Sequence, residues 1–174
     1  NLELDNLNNL KYKIKQLNLS GFNVTIPYKI EIISKLDFVS NQAKTINAVN
    51  TVKVIEGKLH GFNTDVIGFT KSIVPQLNKR KTALVLGNGG SSKAIQFALH
   101  KLNINWKVVS RNTDFDYRQI TKETIDSVEI IINCTPLGTY PKIEEYPQLP
   151  YNLLNSKHLL YDLVYNPKQT KFLT

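Results

Sequence analysis

Apolar residues recur at helical spacing near the start of the chain. Leu7, Leu10, Ile14 and Leu17 within residues 2–17 predict an amphipathic helix. The stretch "GFNVTI" (21–26) alternates apolar and polar positions and predicts a strand, while "PYKIEIISKL" (27–36) predicts a helix with Pro27 in its first turn. Lys29 then falls at a strand-to-helix junction. In "NAVNTVKVIEGKLHGFNTD" (47–65) two strands are joined by a turn at Glu56 and Gly57, and "VIGFTKSIVPQL" (66–77) reads as a helix interrupted or ended near Pro75.

After Lys79, Arg80 and Lys81 the texture changes. "TALVLG" (82–87) is continuously apolar, and a glycine-rich turn, a helix through about Lys101 and the strand "WKVVS" (106–110) follow it. "VEIIIN" (128–133) and "LLYDLV" (159–164) are further strands of this kind, each closing on polar residues. Apolar strands alternating with helices predict a parallel sheet covered on both faces. The fold class is therefore α/β in two domains, with a boundary near residue 80: an N-terminal α/β domain over 1–80 and a C-terminal Rossmann-like domain over 81–174.

Composition narrows the picture. At 41% hydrophobic and 21% charged residues the chain has the balance of a globular protein, and no apolar run reaches the length of a membrane span. The expectation is a soluble cytoplasmic protein with no membrane partner. Cys134 is the single cysteine, which excludes an internal disulfide. The net charge of +8 favours anionic ligands, but basic residues are spread over both halves and no aromatic stacking motif accompanies them, so nucleic acid is not expected. There is no methionine, and "KQTKFLT" reads as the opening of a helix without a stop signal, so both ends are expected to be incomplete.

Candidate chemistry lies in two places. Gly87, Asn88, Gly89, Gly90 and Ser91 stand between a strand and a helix, where backbone amides at a helix N-terminus hold a pyrophosphate. Ser92 takes the place of the third glycine of the dinucleotide fingerprint. Where the next strand ends, an acidic residue would bind the ribose of NAD; Ser110, Arg111 and Asn112 stand there instead, and a guanidinium suits the 2′-phosphate of NADP. In the first half Thr25, Lys29, Asn50 and Asp65 offer hydroxyl, cation, amide and carboxylate at strand edges, a set suited to a small hydroxylated acid. Reduction of a carbonyl also needs a proton donor; Lys29 is the leading candidate, with His60 as its competitor.

Seven segments in order, "GFNVTIPYK", "NAVNTV", "GFNTD", "LGNGGSSKA", "VVSRNT", "NCTPLG" and "YDLVYNPKQT", resemble the shikimate dehydrogenase family of bacterial aromatic amino-acid biosynthesis. The resemblance implies reduction of 3-dehydroshikimate to shikimate with NADP(H), in a cleft between a substrate domain and a cofactor domain. It implies Lys29 and Asp65 as the catalytic pair, and Thr25, Asn50, Asp65 and Tyr165 as substrate ligands. It implies Gly87 to Ser91 for the pyrophosphate, Ser110 to Asn112 for the 2′-phosphate, and Thr135 and Leu163 beside the nicotinamide. The implied partner is a small-molecule substrate, the implied assembly a monomer or homodimer. Alternatives are a quinate/shikimate dehydrogenase using NAD and a noncatalytic ligand-sensing relative. Compared with the family pattern the chain lacks the N-terminal strand with its paired serines and the closing helices. Asn47, Ser110 and Asn41 replace a glycine, an asparagine and an acidic residue.

Overall fold

The computed structural model describes residues 4–111 and 113–174, and packing divides the chain into two compact units, Asn1–Asp65 and Val66–Thr174. The first unit begins with helix α1 (Leu10–Gln16), followed by strand β1 (Gly21–Asn23). The helix expected over 2–17 is thus shorter. Asn6 Oδ1 accepts the Asn8 N–H at 3.0 Å, a local bond that competes with a helical turn. Leu7, Leu10 and Ile14 are buried as their spacing requires, whereas Leu17, at the helix end, is exposed.

The helix expected over 27–36 does not form. Residues 26–30 make a turn, with a cis peptide before Pro27, and only Glu31–Lys35 coil, as a 3₁₀ helix. The carbonyl of Lys29 accepts the Val49 N–H at 2.7 Å and Ile33 N–H turns to Ile30 C=O. A tertiary bond has taken the acceptor that the first α-helical turn would use.

Strand β2 (Phe38–Val39) and helix α2 (Asn41–Ile46) follow. Ser40 caps α2 by accepting the Ala43 N–H, and Asn47 ends it in the left-handed region at φ 56°. Strands β3 (Thr51–Ile55) and β4 (Lys58–Phe62) form the expected antiparallel hairpin, with Glu56 and Gly57 both at positive φ in the turn. The sheet order is β1-β3-β4-β2, with β2 parallel to β4. Val24, Ile32, Val39, Val49, Val52 and Leu59 pack with the buried leucines of the N-terminal segment as its core.

Helix α3 (Asp65–Ile73) leads into the second unit, where Phe69 meets Tyr161 edge to face at 5.1 Å. Strand β5 (Thr82–Leu86), helix α4 (Gly90–Lys101), strand β6 (Asn105–Val109), helix α5 (Lys122–Asp126) and strands β7 (Ile130–Asn133) and β8 (Leu159–Asp162) complete it. All strand pairs are parallel in the order β6-β5-β7-β8. The direction of winding reverses between β5 and β7, the place where doubly wound sheets open a crevice at their C-terminal ends. Burial on both faces holds for β5 and β7; Asn105, Trp106 and Lys107 of edge strand β6 are exposed. The C-terminal "KQTKFLT" is a turn rather than a helix, pinned by buried Thr170 and Phe172.

Candidate functional site

Three backbone hydrogen bonds stitch the polar segments of the first unit together. Val24 N–H donates to Asn50 C=O at 2.7 Å, Val49 N–H to Lys29 C=O at 2.7 Å, and Asn50 N–H to Phe62 C=O at 3.1 Å. Asn50 stands just before β3 and Asp65 just after β4, so both lie at the open end of the hairpin. Lys29 arrives there from the 26–30 turn.

Both oxygens of Asp65 are engaged. Oδ2 accepts Lys29 Nζ at 2.7 Å, and Oδ1 accepts Asn50 Nδ2 at 2.7 Å. The Asn50 amide is itself oriented, because its Oδ1 accepts Thr64 N–H at 2.8 Å and the Thr51 hydroxyl at 3.1 Å. The Lys29 and Asp65 side chains are only 13% and 25% exposed, so their attraction is screened less than that of a surface pair. Asp65 also sits in the first turn of α3, where the helix dipole favours a carboxylate. The cluster is a cationic N–H donor held by a carboxylate that an amide fixes. Thr25 stands exposed at the start of the same turn, its carbonyl accepting the Tyr28 N–H at 2.9 Å. His60, the competing proton donor, packs against Phe38 with ring centroids 5.2 Å apart.

In the second unit the glycine loop leaves β5 at the switch point. Gly87 has φ +103°, and a Cβ there would stand 3.1 Å from Thr135 Cγ2 and 3.4 Å from the Cys134 backbone. Only glycine fits without strain. A Cβ on Gly89 would meet nothing within 4 Å, and no side chain caps the N-terminus of α4, whose first residue is Gly90. The open space in front of helix amides suits a phosphate. Ser92, at the missing third glycine, is fully buried and accepts Gln96 Nε2 at 3.0 Å, so a small side chain fits where helix meets sheet. Asn88 and Ser91 lie in this loop and first turn.

Arg111 is exposed at the end of β6, after half-buried Ser110. The Thr113 hydroxyl shapes that loop by donating to Ser110 C=O and Phe115 C=O. Burial pushes the Tyr117 hydroxyl above its ordinary range, while the positive charge of Arg111 works against it. Asn112 lies outside the described residues.

At the ends of β7 and β8 the structure shows a polar network that motif reading passes over. Asn133 and Asp162 are register partners, and Asn133 Nδ2 donates to Asp162 Oδ1 at 3.0 Å. Asn133 Oδ1 accepts Thr135 N–H at 3.0 Å and the Thr135 hydroxyl at 2.6 Å. Asp162 also takes Val164 N–H at 2.9 Å and the Thr170 hydroxyl at 2.5 Å. Burial raises the Asp162 carboxyl above its ordinary value against the pull of these donors. The signal for both was the polar residue closing each apolar strand. Leu163 N–H donates to Asn133 C=O at 3.0 Å, and Tyr165 is 89% exposed. No described helix is long and apolar enough to cross a membrane, and no group of three potential metal ligands converges among the described residues.

Residues 1–52 match the family model described as the shikimate dehydrogenase substrate binding domain. The chain is 39% identical to the shikimate dehydrogenase (NADP(+)) of Methanosphaera stadtmanae, over 99% of its own length and 68% of that protein's. It superposes on the shikimate dehydrogenase structure of Aquifex aeolicus with a TM-score of 0.84 at 36% identity, covering 99% of this chain and 68% of that one. For the Thermus thermophilus shikimate 5-dehydrogenase in complex with NADP(H) and shikimate, the TM-score is 0.80 at 32% identity, with 94% and 66% covered. The chain therefore spans about two thirds of the length of these relatives.

Proposed function

This chain belongs to the shikimate dehydrogenase family, and on that premise we propose that it catalyses the reversible NADPH-dependent reduction of 3-dehydroshikimate to shikimate, a step of chorismate and aromatic amino-acid biosynthesis. The observation that carries the reading is the Lys29–Asp65–Asn50 cluster. Reduction of the ketone requires a hydride at carbon and a proton at oxygen. NADPH, when bound, supplies the hydride. Lys29 Nζ donates the proton to the carbonyl oxygen as negative charge develops there, and takes it back in the reverse reaction. A placed proton donor of this kind contributes about 10²- to 10⁴-fold in rate.

Asp65 holds the ammonium in place and accepts from a ring hydroxyl of the substrate. Asn50 keeps the carboxylate from rotating away. Thr25 and Tyr165 add hydroxyl contacts to the same polar ligand. Gly87, Asn88, Gly89, Gly90 and Ser91 hold the pyrophosphate, Ser110, Arg111 and Asn112 hold the 2′-phosphate, and Thr135 and Leu163 flank the nicotinamide. The Gly87 turn and the open approach in front of α4 support this cofactor assignment. Arg111, with no acidic residue beside it in "VVSRN", supports NADP over NAD.

Residues 1–80 act as the substrate domain and 81–174 as the cofactor domain. The active form is a cytoplasmic monomer or homodimer that takes only small-molecule ligands. Mixing the chain with NADPH and 3-dehydroshikimate and following the loss of NADPH absorbance tests the reading. Turnover that vanishes in Lys29→Ala supports it; equal turnover in the variant removes Lys29 from the chemistry.

A further inference from the structure

We infer that Asn133 and Asp162 are positioning residues for the nicotinamide end of the cofactor site, an amide and carboxylate that lock the loop after β7 to the loop after β8. The inference rests on the cofactor reading above. Asn133 is fully buried, so it acts through its neighbours rather than on a ligand. Its Oδ1 fixes both the N–H and the hydroxyl of Thr135, and its backbone C=O fixes Leu163 N–H. These are the two residues assigned to the nicotinamide flanks. Its Nδ2 donates to Asp162, which holds Val164 N–H on one oxygen and the Thr170 hydroxyl on the other.

Thr135 in turn stands against the glycine loop, because its Cγ2 lies 3.1 Å from the place a Cβ of Gly87 would take. One hydrogen-bonded unit therefore sets the relative position of three loops at the C-terminal edge of the sheet. Its polarity runs one way. Asn133 supplies the donor and Asp162 the acceptor, so two carboxylates at these positions would repel, while the exchanged pair restores the bond between them but not those to Leu137 C=O and Val164 N–H.

The test compares the wild-type chain with Asn133→Asp, Asp162→Asn and the double exchange. The readouts are kcat with 3-dehydroshikimate, the fluorescence of bound NADPH, affinity for adenosine 2′,5′-bisphosphate (which lacks a nicotinamide), and Tm. A misplaced reacting group costs on the order of 10²-fold, and that is the kcat loss expected for Asn133→Asp, with altered NADPH fluorescence. Asp162→Asn is expected to lose about tenfold, and the exchange to recover only part of the Asn133→Asp loss, since the bonds to Leu137 C=O and Val164 N–H are not regained. Bisphosphate affinity stays within about twofold throughout, since Arg111 and the glycine loop, which Gly87 N–H ties to Val109 C=O, make none of the exchanged hydrogen bonds.

Variants that lower Tm while kcat and the fluorescence of bound NADPH stay at wild-type values overturn the inference and leave the function standing. A wild-type chain that binds neither NADPH nor the bisphosphate overturns the cofactor reading itself, and the positioning role with it.

Discussion

Lys29 Nζ and Asp65 Oδ2 lie 2.7 Å apart although 36 residues separate them in the chain. Neither is placed by its own local structure alone. The backbone bond from Val49 N–H to Lys29 C=O and the β3–β4 hairpin bring them together. If the pair carries the proton chemistry, its members have separable effects.

Lys29→Ala is expected to lower kcat by about 10²- to 10⁴-fold. Its affinity for NADPH stays unchanged, because the proposed cofactor groups lie beyond residue 86. Steady-state kinetics and NADPH titration of the same preparation check this, and a variant that weakens NADPH as much as it slows turnover contradicts it.

Asp65→Asn keeps the shape of the side chain but removes the charge that Lys29 faces, and it sets a second amide against Asn50 Nδ2. Loss of a charge-assisted bond is worth about 1.5–3 kcal/mol, so kcat/KM should fall roughly tenfold to a hundredfold. Asn50→Ala should show a smaller loss in the same direction. The ordering Lys29→Ala, Asp65→Asn, Asn50→Ala in severity is what kinetics must reproduce.

Arg111→Ala is expected to weaken NADPH by about tenfold or more, the worth of charge-assisted bonds to a phosphate, while NADH binding changes little. Equal losses for the two dinucleotides would sink the 2′-phosphate assignment.

Gly87→Ala puts a Cβ against Thr135 and Cys134 in a backbone conformation that L-residues avoid. The cost is about 1–3 kcal/mol of stability, seen as a lower denaturant midpoint, together with weaker NADPH binding. Gly89→Ala is the comparison: its Cβ meets nothing within 4 Å, so it costs less stability than Gly87→Ala while dinucleotide binding still suffers.

The acid limb of stability should depend on Glu129. Its carboxylate accepts Lys81 N–H at 2.7 Å, and that bond, with help from the Thr82 hydroxyl, holds its pKa below the ordinary 4.5. A carboxyl depressed in the folded state contributes stability above its unfolded pKa and loses it as pH falls through the folded value. Glu129→Gln should therefore lower Tm at neutral pH and narrow its gap to wild type below pH 4.5. Parallel Tm curves across that range would rule the contribution out.

The hairpin and the second unit were legible because their signals are local. Glu56-Gly57 demands positive φ, and continuous apolar runs bounded by glycine leave few alternatives to buried parallel strands. The turn carrying Lys29 was not legible, since "PYKIEIISKL" has acceptable helical spacing and the bond that overrides it comes from Val49, twenty residues away. The same reason hid Asn133 and Asp162. Each looks like an ordinary polar strand end until register sets them side by side. Lys29, Asn50 and Asp65 could be named from the sequence, but not the orientation that aims the Asn50 amide at the carboxylate, because it depends on Thr64 and Thr51 meeting Asn50.

Asn50 and Asp65 both sit at the open end of the β3–β4 hairpin, and the Glu56-Gly57 turn closes its far end, five residues of strand away. At about 3.3 Å per residue the strands run some 16 Å from the open end of the hairpin to its tip. Changes in loop length there act on an exposed turn at the end of the ladder opposite the two side chains. The hairpin thus separates an exposed turn at one end from geometric fidelity at the other, and a tag or loop graft at residues 56–57 lies as far along the ladder from the two side chains as the hairpin allows.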